Sequence, residues 1–310
     1  MSTVEMELQI EPLLTAEPES QWRVVWRRFR RHRLAVMGLF IIGFFALMAV
    51  LAPFISPYNP IRYQDLKNQN APASAQYALG TDKIGRDILS RLMFGSSISL
   101  FVSFTVVLVS QGFGATLGAV SGYFGGWVDN IIQRVTEFMI SLPLLPMLLA
   151  FSAIFRDQFE LPGLPREWNS AVLITLILIV FSWTGACRLV RGQVLSLREM
   201  DFAEAARAQG VSTWRIIVRH MLPNSLAPII VNATLALGGV IVLESILSFL
   251  GFGIQPPVPT WGNMLSEYQA ELWTEPVKVF FPGMAIFLCA LAFNYIGDGL
   301  RDALDPRLKR

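Results

Sequence analysis

Long runs of apolar residues, separated by shorter polar segments, dominate the chain from residue 34 onward. A helix needs about 20 predominantly apolar residues to cross the hydrocarbon core of a bilayer. Six segments supply such a run, in whole or in part: 34–55, a part of 96–128, 131–155, 170–187, 226–250 and 279–296. The pattern predicts an all-α membrane protein with six transmembrane helices. An even number of spans places both termini on the same side of the membrane.

The composition agrees with a membrane protein. Of the 310 residues, 53% are hydrophobic and only 15% are charged, whereas soluble domains carry about 25% charged residues. A formal net charge of +2 gives no reason to expect nucleic acid as a partner. Cys187 and Cys289 both lie in apolar runs, and His32 and His220 are the two histidines, so the sequence predicts neither a disulfide framework nor a metal site.

The uneven distribution of basic residues predicts the orientation, because cytoplasmic segments carry an excess of positive charge. Three segments are rich in arginine or lysine: Arg23, Arg27, Arg28, Arg30, Arg31 and Arg33; then Arg188, Arg191, Arg198, Arg207, Arg215 and Arg219; then Arg301, Arg307, Lys309 and Arg310. We therefore expect both termini, and the loop after the fourth span, to be cytoplasmic. The predicted external loop 57–95 carries five basic residues and weakly opposes this orientation.

Glycines and prolines in the second and third spans predict how these helices pack and bend. Gly114, Gly118 and Gly122 recur every four residues, which places them on one helix face where two backbones can approach closely. Pro143 and Pro146 each remove a backbone donor and are expected to bend the third span. Such a bend suits a gated cavity, although prolines are also ordinary in membrane helices.

Charged residues are rare inside the predicted spans. Glu244 is the one acid deep in an otherwise apolar segment, and burying a carboxylate in lipid is costly. Two alternatives are open: Glu244 faces the translocation pathway or a partner, or it lies near the outer end, in water or hydrogen-bonded to a neighbouring helix. Arg134 and Glu137, three residues apart, are expected to form a local ion pair.

The segment 199–223, between the fourth and fifth spans, is too polar to cross a membrane. Its alanines favour a helix over 200–209, and Gly210 suits the left-handed position that closes a helix. A second helix is predicted over 214–221, and Pro223 either ends it or starts the next span. The result is a helix–turn–helix that lies against the membrane.

Three interpretations of this helix pair are open. Apolar residues alternate with Arg215 and Arg219, as in amphipathic helices at a membrane surface. A DNA-binding helix–turn–helix conflicts with a position between two spans. A docking element for a cytoplasmic protein is the third interpretation, because the alanines leave little side chain in the way and Glu204 offers a charge beside them.

The sequence Glu204-Ala205-Ala206, then Gly210, then Leu222-Pro223 resembles the EAA motif of the membrane subunits of ABC importers. His220, where the general motif has an apolar residue, resembles the dipeptide/oligopeptide branch of that family. Four further stretches resemble the same branch: 79–91, 122–129, 248–262 and 297–306. The resemblance covers roughly residues 22–310 and is closest to the C-type permease subunit.

The resemblance implies the type I ABC importer transmembrane fold over residues 96–300, in a bacterial inner membrane. A basic segment with the first span (22–56) and an external loop (57–95) precede this domain, and a cytoplasmic tail (301–310) follows it. Residues 1–21 match nothing in the family and are expected to be a disordered cytoplasmic tail.

The implied partners are a second homologous permease subunit, two cytoplasmic ATPase subunits, an external substrate-binding protein and membrane lipid. Loops 57–95 and 251–278 would contact the binding protein, and cross-linking from Asp82 or Trp261 would test this. The chain has no G-x-x-x-x-G-K-[ST] sequence, so ATP and Mg²⁺ are expected on the partner ATPases. No catalytic residue, cofactor or metal is expected in this chain.

The resemblance implies six residues that couple the ATPases to the membrane domain: Glu204, Ala205, Ala206, Gly210, Leu222 and Pro223. Glu244, Pro143 and Pro146 are candidates for the translocation pathway. Dipeptides or oligopeptides are the expected cargo, and nickel, glutathione or another small solute is the alternative in the same branch. From other classes, a secondary transporter or channel needs no ATPase, and a membrane hydrolase needs a nucleophile and a base inside the spans.

Overall fold

The computed structural model describes residues 21–305, and in this part of the chain every regular element is a helix. The helices are α1 Gln21–Arg31, α2 Arg33–Ile55, α3 Ile88–Phe124, α4 Gly126–Ser141, α5 Leu144–Phe155, α6 Asn169–Ser182, α7 Thr184–Leu197, α8 Asp201–Ala208, α9 Thr213–Ile216, α10 Leu222–Asn224, α11 Leu226–Phe249, α12 Trp261–Tyr268 and α13 Pro276–Leu304. The predicted disordered tail lies outside the described residues except for its last residue, which begins α1. The predicted tail 301–310 is helical as far as Leu304.

The predicted membrane-spanning architecture is confirmed for the described residues. Helices α2, α3, α11 and α13 and the segment Arg166–Leu197, which contains α6 and α7, are long and apolar enough to cross a membrane. Helices α4 and α5 together pass the same test but are bent by 87° at the break between them. Counted as one broken span, this pair brings the number of spans to six.

The break in the third span comes from one of the two predicted prolines. Leu142 precedes Pro143 and has an extended backbone (φ −74°, ψ 134°), as expected because a proline disfavours the helical conformation of the residue before it. Pro146 is the third residue of α5, where a missing N–H costs no hydrogen bond because the first turn has no intrahelical acceptors. The prediction that both prolines bend the helix is therefore wrong for Pro146.

The long helix α3 begins eight residues before the predicted end of the external loop 57–95. Asp87 caps it, and its carboxylate accepts a hydrogen bond from the Ser90 N–H at 2.7 Å. At the other end Gly125, with φ +64°, stops the helix. Residues 88–95, assigned to the loop from sequence, are thus the first two turns of α3.

Helix α3 lies at the centre of the helical bundle and packs directly against α7. A Cβ atom on Gly114 or Gly118 would overlap the carbonyl oxygen of Trp183 or Cys187, and one on Gly122 would lie 2.8 Å from the carbonyl oxygen of Arg191. The three glycines therefore let two backbones meet without intervening side chains. The close packing predicted from their spacing is confirmed.

Substitution of Gly118 by alanine should lower the thermal unfolding temperature of the purified subunit. The added methyl group forces α3 and α7 apart, and such overpacking typically costs about 1–3 kcal/mol. Gly112, on the same helix, has open space around its Cβ position. Gly112→Ala is the matched control and should leave the unfolding temperature unchanged or raise it, and equal losses in both variants would contradict this account.

The two ends of the described chain lie side by side. The Arg28 guanidinium in α1 donates a hydrogen bond to the carbonyl oxygen of Asp305 at 3.1 Å. Phe29 and Ala35 pack against Ala303 near the end of α13. This contact agrees with an even number of spans between α1 and the end of α13.

Candidate functional site

The first helix of the segment 199–223 forms as predicted and is closed by Gly210. Helix α8 spans Asp201–Ala208, and Gly210 has φ +73°. The N–H of Gly210 donates to the carbonyl of Arg207 at 3.0 Å, and the N–H of Val211 donates to the carbonyl of Ala206 at 3.1 Å. These two bonds are the Schellman pattern, which requires a left-handed residue and so explains the glycine.

The second helix of this segment is longer than the predicted 214–221. Helix α9 continues through a π-helical turn, Ile217–Met221, into α10. Pro223 therefore lies within the helical stretch, and the chain turns at Ser225 before α11 begins. Ser212 occupies the N-cap position, although its side chain makes no capping hydrogen bond.

One side of the helix pair is anchored in the membrane domain. Ala203 and Ala206 of α8 are buried with Ile216 and Ile217. This cluster continues to four residues of α3 and α7: Ala115, Ala119, Val190 and Val194. Among the predicted coupling residues, Ala206 thus belongs to the anchor, and the half-buried Leu222 packs against the same cluster.

The other side of the helix pair is open to solvent, and we call it the outer face. The remaining predicted coupling residues lie here and are exposed: Glu204, Ala205, Gly210 and Pro223. Trp214 is 58% exposed and Val218 is 46% exposed. Both line an open groove of about 520 Å³, together with Arg215, Arg219 and Pro223. Large exposed apolar side chains with a charged rim are typical of a protein–protein contact.

The sequence missed Trp214, Val218 and Phe202 as residues of this face. An apolar residue in an amphipathic helix beside the membrane is assigned to the lipid side by pattern alone. In the structure, however, Phe202 is 36% exposed, and its ring lies 6.3 Å from the ring of His220. Only the position of the anchor alanines identifies which apolar residues point away from the membrane domain.

Glu244 is hydrogen-bonded to a neighbouring helix and is completely buried. Its carboxylate accepts from the Ser248 hydroxyl at 2.7 Å, within α11, and from the Ser99 hydroxyl of α3 at 3.3 Å. This geometry matches the second of the two alternatives left open by the sequence. A role in the translocation pathway stays a prediction for Glu244, as it does for Pro143 and Pro146, both of which are exposed at the α4–α5 break.

Two ion pairs involve helix α4. Arg191 of α7 forms a two-pronged pair with Asp129, with both N–O distances at 2.6 Å. Arg134 and Glu137 form the predicted local pair at 3.4 Å on the exposed side of α4. The first pair links α4 to α7, so a displacement of α7 would be transmitted to α4.

The segment before α3, which the sequence predicts to be external, is tied to α12 by a buried ionic cluster. The Arg91 guanidinium, with no exposed surface, donates to Asp82 at 2.8 Å, to Glu267 at 2.6 Å and to the Tyr268 hydroxyl at 2.8 Å. The Arg86 Nε donates to the same oxygen of Asp82, Oδ2, at 2.6 Å. Sequence reasoning missed this cluster because its members lie about 180 residues apart.

Three of the five basic residues in the predicted external loop are paired with carboxylates. Arg86 and Arg91 are neutralised within the fold, and Lys83 pairs with Glu271 at 3.5 Å. Burial alone raises the pKa of Asp82, but Arg91 and Arg86 outweigh burial and hold this pKa below its ordinary value. These three basic residues are therefore counterions within the folded segment.

The two positions named for cross-linking to a binding protein are not on the surface. Asp82 is 2% exposed and Trp261 is 0% exposed. The Trp261 indole donates to the Leu92 carbonyl at 3.3 Å, and its ring packs edge-on against Phe45. Both residues hold this part of the fold together, and their burial makes them poor positions for cross-linking to a partner.

Two known protein families match this chain over most of its length. Residues 114–310 match the family described as "Binding-protein-dependent transport system inner membrane component". Residues 20–73 match the "N-terminal TM domain of oligopeptide transport permease C". The chain belongs to this family of inner membrane transport components, and the resemblance inferred from the EAA-like segment is confirmed.

Similar proteins cover nearly the whole chain. The dipeptide transport system permease protein DppC of Alkalihalophilus pseudofirmus is 40% identical over 96% of this chain and 98% of its own length. The glutathione transport system permease protein GsiD of Pectobacterium atrosepticum is 40% identical over 93% and 92%. DppC of Bacillus subtilis is also 40% identical, over 92% of this chain and 85% of its own length.

Proposed function

We propose that this chain is one of two permease subunits of an ATP-driven importer for dipeptides or oligopeptides. The observation that carries the proposal is the construction of segment 199–223. Ala203 and Ala206 fix it to α3 and α7, while Glu204 and Ala205 are presented on the outer face. A rigid element that is anchored on one side and open on the other can transmit force from a docked ATPase.

In this proposal both termini and the outer face lie in the cytoplasm, and the ATPases supply ATP and Mg²⁺ sites. Movement of the docked element pushes on α3 and α7 through the buried alanine cluster. The Asp129–Arg191 pair extends the motion to α4, and the broken span α4–α5 provides a joint where the pathway can open. Rigid-body motion of this kind reaches distant sites because packed interfaces shift as units.

Two relatives are named as dipeptide transport permeases, which supports peptides as the cargo class. Glutathione is a second candidate, because the GsiD permease is as similar to this chain as the DppC permeases are. All of these cargoes would share a peptide bond and a free carboxylate. The external binding protein would select among them, with the folded loops 57–87 and 250–275 as its landing area.

Purification of the complex through a tag on this chain tests the proposal. We expect a second permease, an ATPase and a binding protein to co-purify, and the loaded binding protein to stimulate ATP hydrolysis. Comparison of a dipeptide, glutathione and Ni²⁺ as its ligand separates the cargoes. A complex that lacks an ATPase yet still transports would support a secondary transporter and contradict the proposal.

A further inference from the structure

Helix α1 has an apolar side that is fixed against the rest of the subunit. Phe29 is 5% exposed and, with the half-buried Val25, packs on Ala303, Ile296 and Leu300 of α13. A single residue, His32, separates α1 from α2, and its Nδ1 accepts a hydrogen bond from the Ala35 N–H at 3.1 Å as the N-cap of α2. Helix α1 is thus held in one position beside the end of the first span.

Polar contacts fix the rotation of α1 about its own axis. Arg28 is half-buried and binds the carbonyl oxygen of Asp305 beyond the end of α13. The imidazole of His32 lies 3.8 Å from the Asp302 carboxylate. With one side packed and one flank hydrogen-bonded, the remaining side of the helix points in a defined direction.

The remaining side of α1 is a continuous basic face. At 3.6 residues per turn, its four arginines fall within an arc of about 100°. These residues are Arg23, Arg27, Arg30 and Arg31, and all four are exposed. Trp26, 53% exposed, lies at the border between the two faces, and its ring stacks on Phe29 with centroids 5.9 Å apart.

We propose that the basic face of α1 binds the headgroups of anionic phospholipids in the leaflet that surrounds the N-terminal end of α2. The one-residue connection to a membrane span keeps α1 at the depth of the headgroups. Clustered arginines beside a span attract anionic lipid, and a border tryptophan is typical of the membrane–water interface. In the orientation proposed above, this leaflet is the cytoplasmic one.

Another segment of this chain has a charge that could complement the same face. Residues 1–20 contain five glutamates, Glu5, Glu7, Glu11, Glu17 and Glu19, and no lysine or arginine. We favour lipid as the occupant because the membrane surface adjoins α1 through its link to α2. The experiment therefore includes a variant that lacks residues 2–20.

The test is photocrosslinking of the intact complex in lipid nanodiscs. Phosphatidylglycerol and phosphatidylethanolamine that carry the same photoreactive headgroup probe are compared, and labelled peptides are mapped by mass spectrometry. Peptides from α1 should be labelled preferentially by phosphatidylglycerol. The double variant R23Q/R30Q should lower this preference roughly thirtyfold, because each of the two basic residues at the surface contributes on the order of 1 kcal/mol.

The matched control is R62Q/K67Q, which removes two exposed positive charges from the external segment and should leave the labelling of α1 unchanged. Equal labelling of α1 by both lipids would overturn the proposal. Labelling that appears only after removal of residues 2–20 would also overturn it, because the acidic segment would then occupy this face. Both lipids are present in both leaflets of the nanodisc, so a wrong orientation would not alter the result.

Discussion

Replacement of Glu204 by arginine should abolish most of the coupled transport while the subunit stays folded and inserted. Glu204 is exposed on the outer face, and among the described residues its side chain forms no hydrogen bond or ion pair. Reversal of its charge therefore leaves the anchor of Ala203 and Ala206 intact. A like-charge contact across an interface opposes association, so ATPase binding should weaken by at least about tenfold.

The measurement combines three readouts on the same preparation: the amount of inserted subunit, the ATPase retained after purification, and uptake into vesicles. Glu160→Arg is the matched control, because Glu160 is an exposed glutamate separated from Glu204 by the candidate span Arg166–Leu197. Its side chain pairs with Arg166 at 3.5 Å. We expect this control to keep both ATPase and uptake. Wild-type uptake by the Glu204→Arg variant would exclude the outer face as the docking surface.

A companion variant separates the two sides of α8. Ala205 is exposed and Ala206 is buried, although they are adjacent in the sequence. A bulky side chain at 205 should block the partner without a change in subunit stability. A bulky side chain at 206 should instead disturb the packing on Ile216 and Ile217. Both substitutions should therefore reduce uptake, but only the one at 206 should also lower the unfolding temperature.

The sequence alone predicted the six spans and the first helix of segment 199–223, because these features depend on local patterns. The apolar runs are long enough to identify a span without knowledge of its neighbours. Gly210 could be assigned to a left-handed position because few other residues adopt it at low cost. The glycine repeat in α3 identified a close helix contact, although not its partner α7.

Features that depend on distant residues were not predictable. The start of α3 was placed too late because Arg91 interrupts the apolar run, and its counterion Glu267 lies 176 residues further along the chain. Which proline bends the third span depends on where α5 begins, and this was not visible in the sequence. The direction in which Trp214 points depends on the packing of its own helix against α3 and α7 through Ile216 and Ile217.

The buried cluster around Arg91 leads to the largest expected effect on stability. Replacement of Arg91 by methionine keeps the approximate length of the side chain but leaves the carboxylates of Asp82 and Glu267 with one cation fewer. Removal of one partner from a buried ion pair typically costs about 3–5 kcal/mol. The unfolding temperature of the purified subunit at neutral pH should fall accordingly, whereas Arg62→Met, an exposed change in the same segment, should have little effect.

The pH dependence identifies charge, and not packing, as the cause. In the wild type the pKa of Asp82 is lowered, so its stabilising contribution is present above the ordinary pKa of about 3.9 and is lost as the pH falls through the lowered value. Without Arg91 this pKa rises, and protonation relieves the uncompensated charge. The difference in unfolding temperature between wild type and Arg91→Met should therefore narrow on acidification. Asp82→Asn, added to the Arg91→Met variant, should recover part of the loss at neutral pH. A pH-independent difference would mean that Arg91 acts only by filling space between α3 and α12.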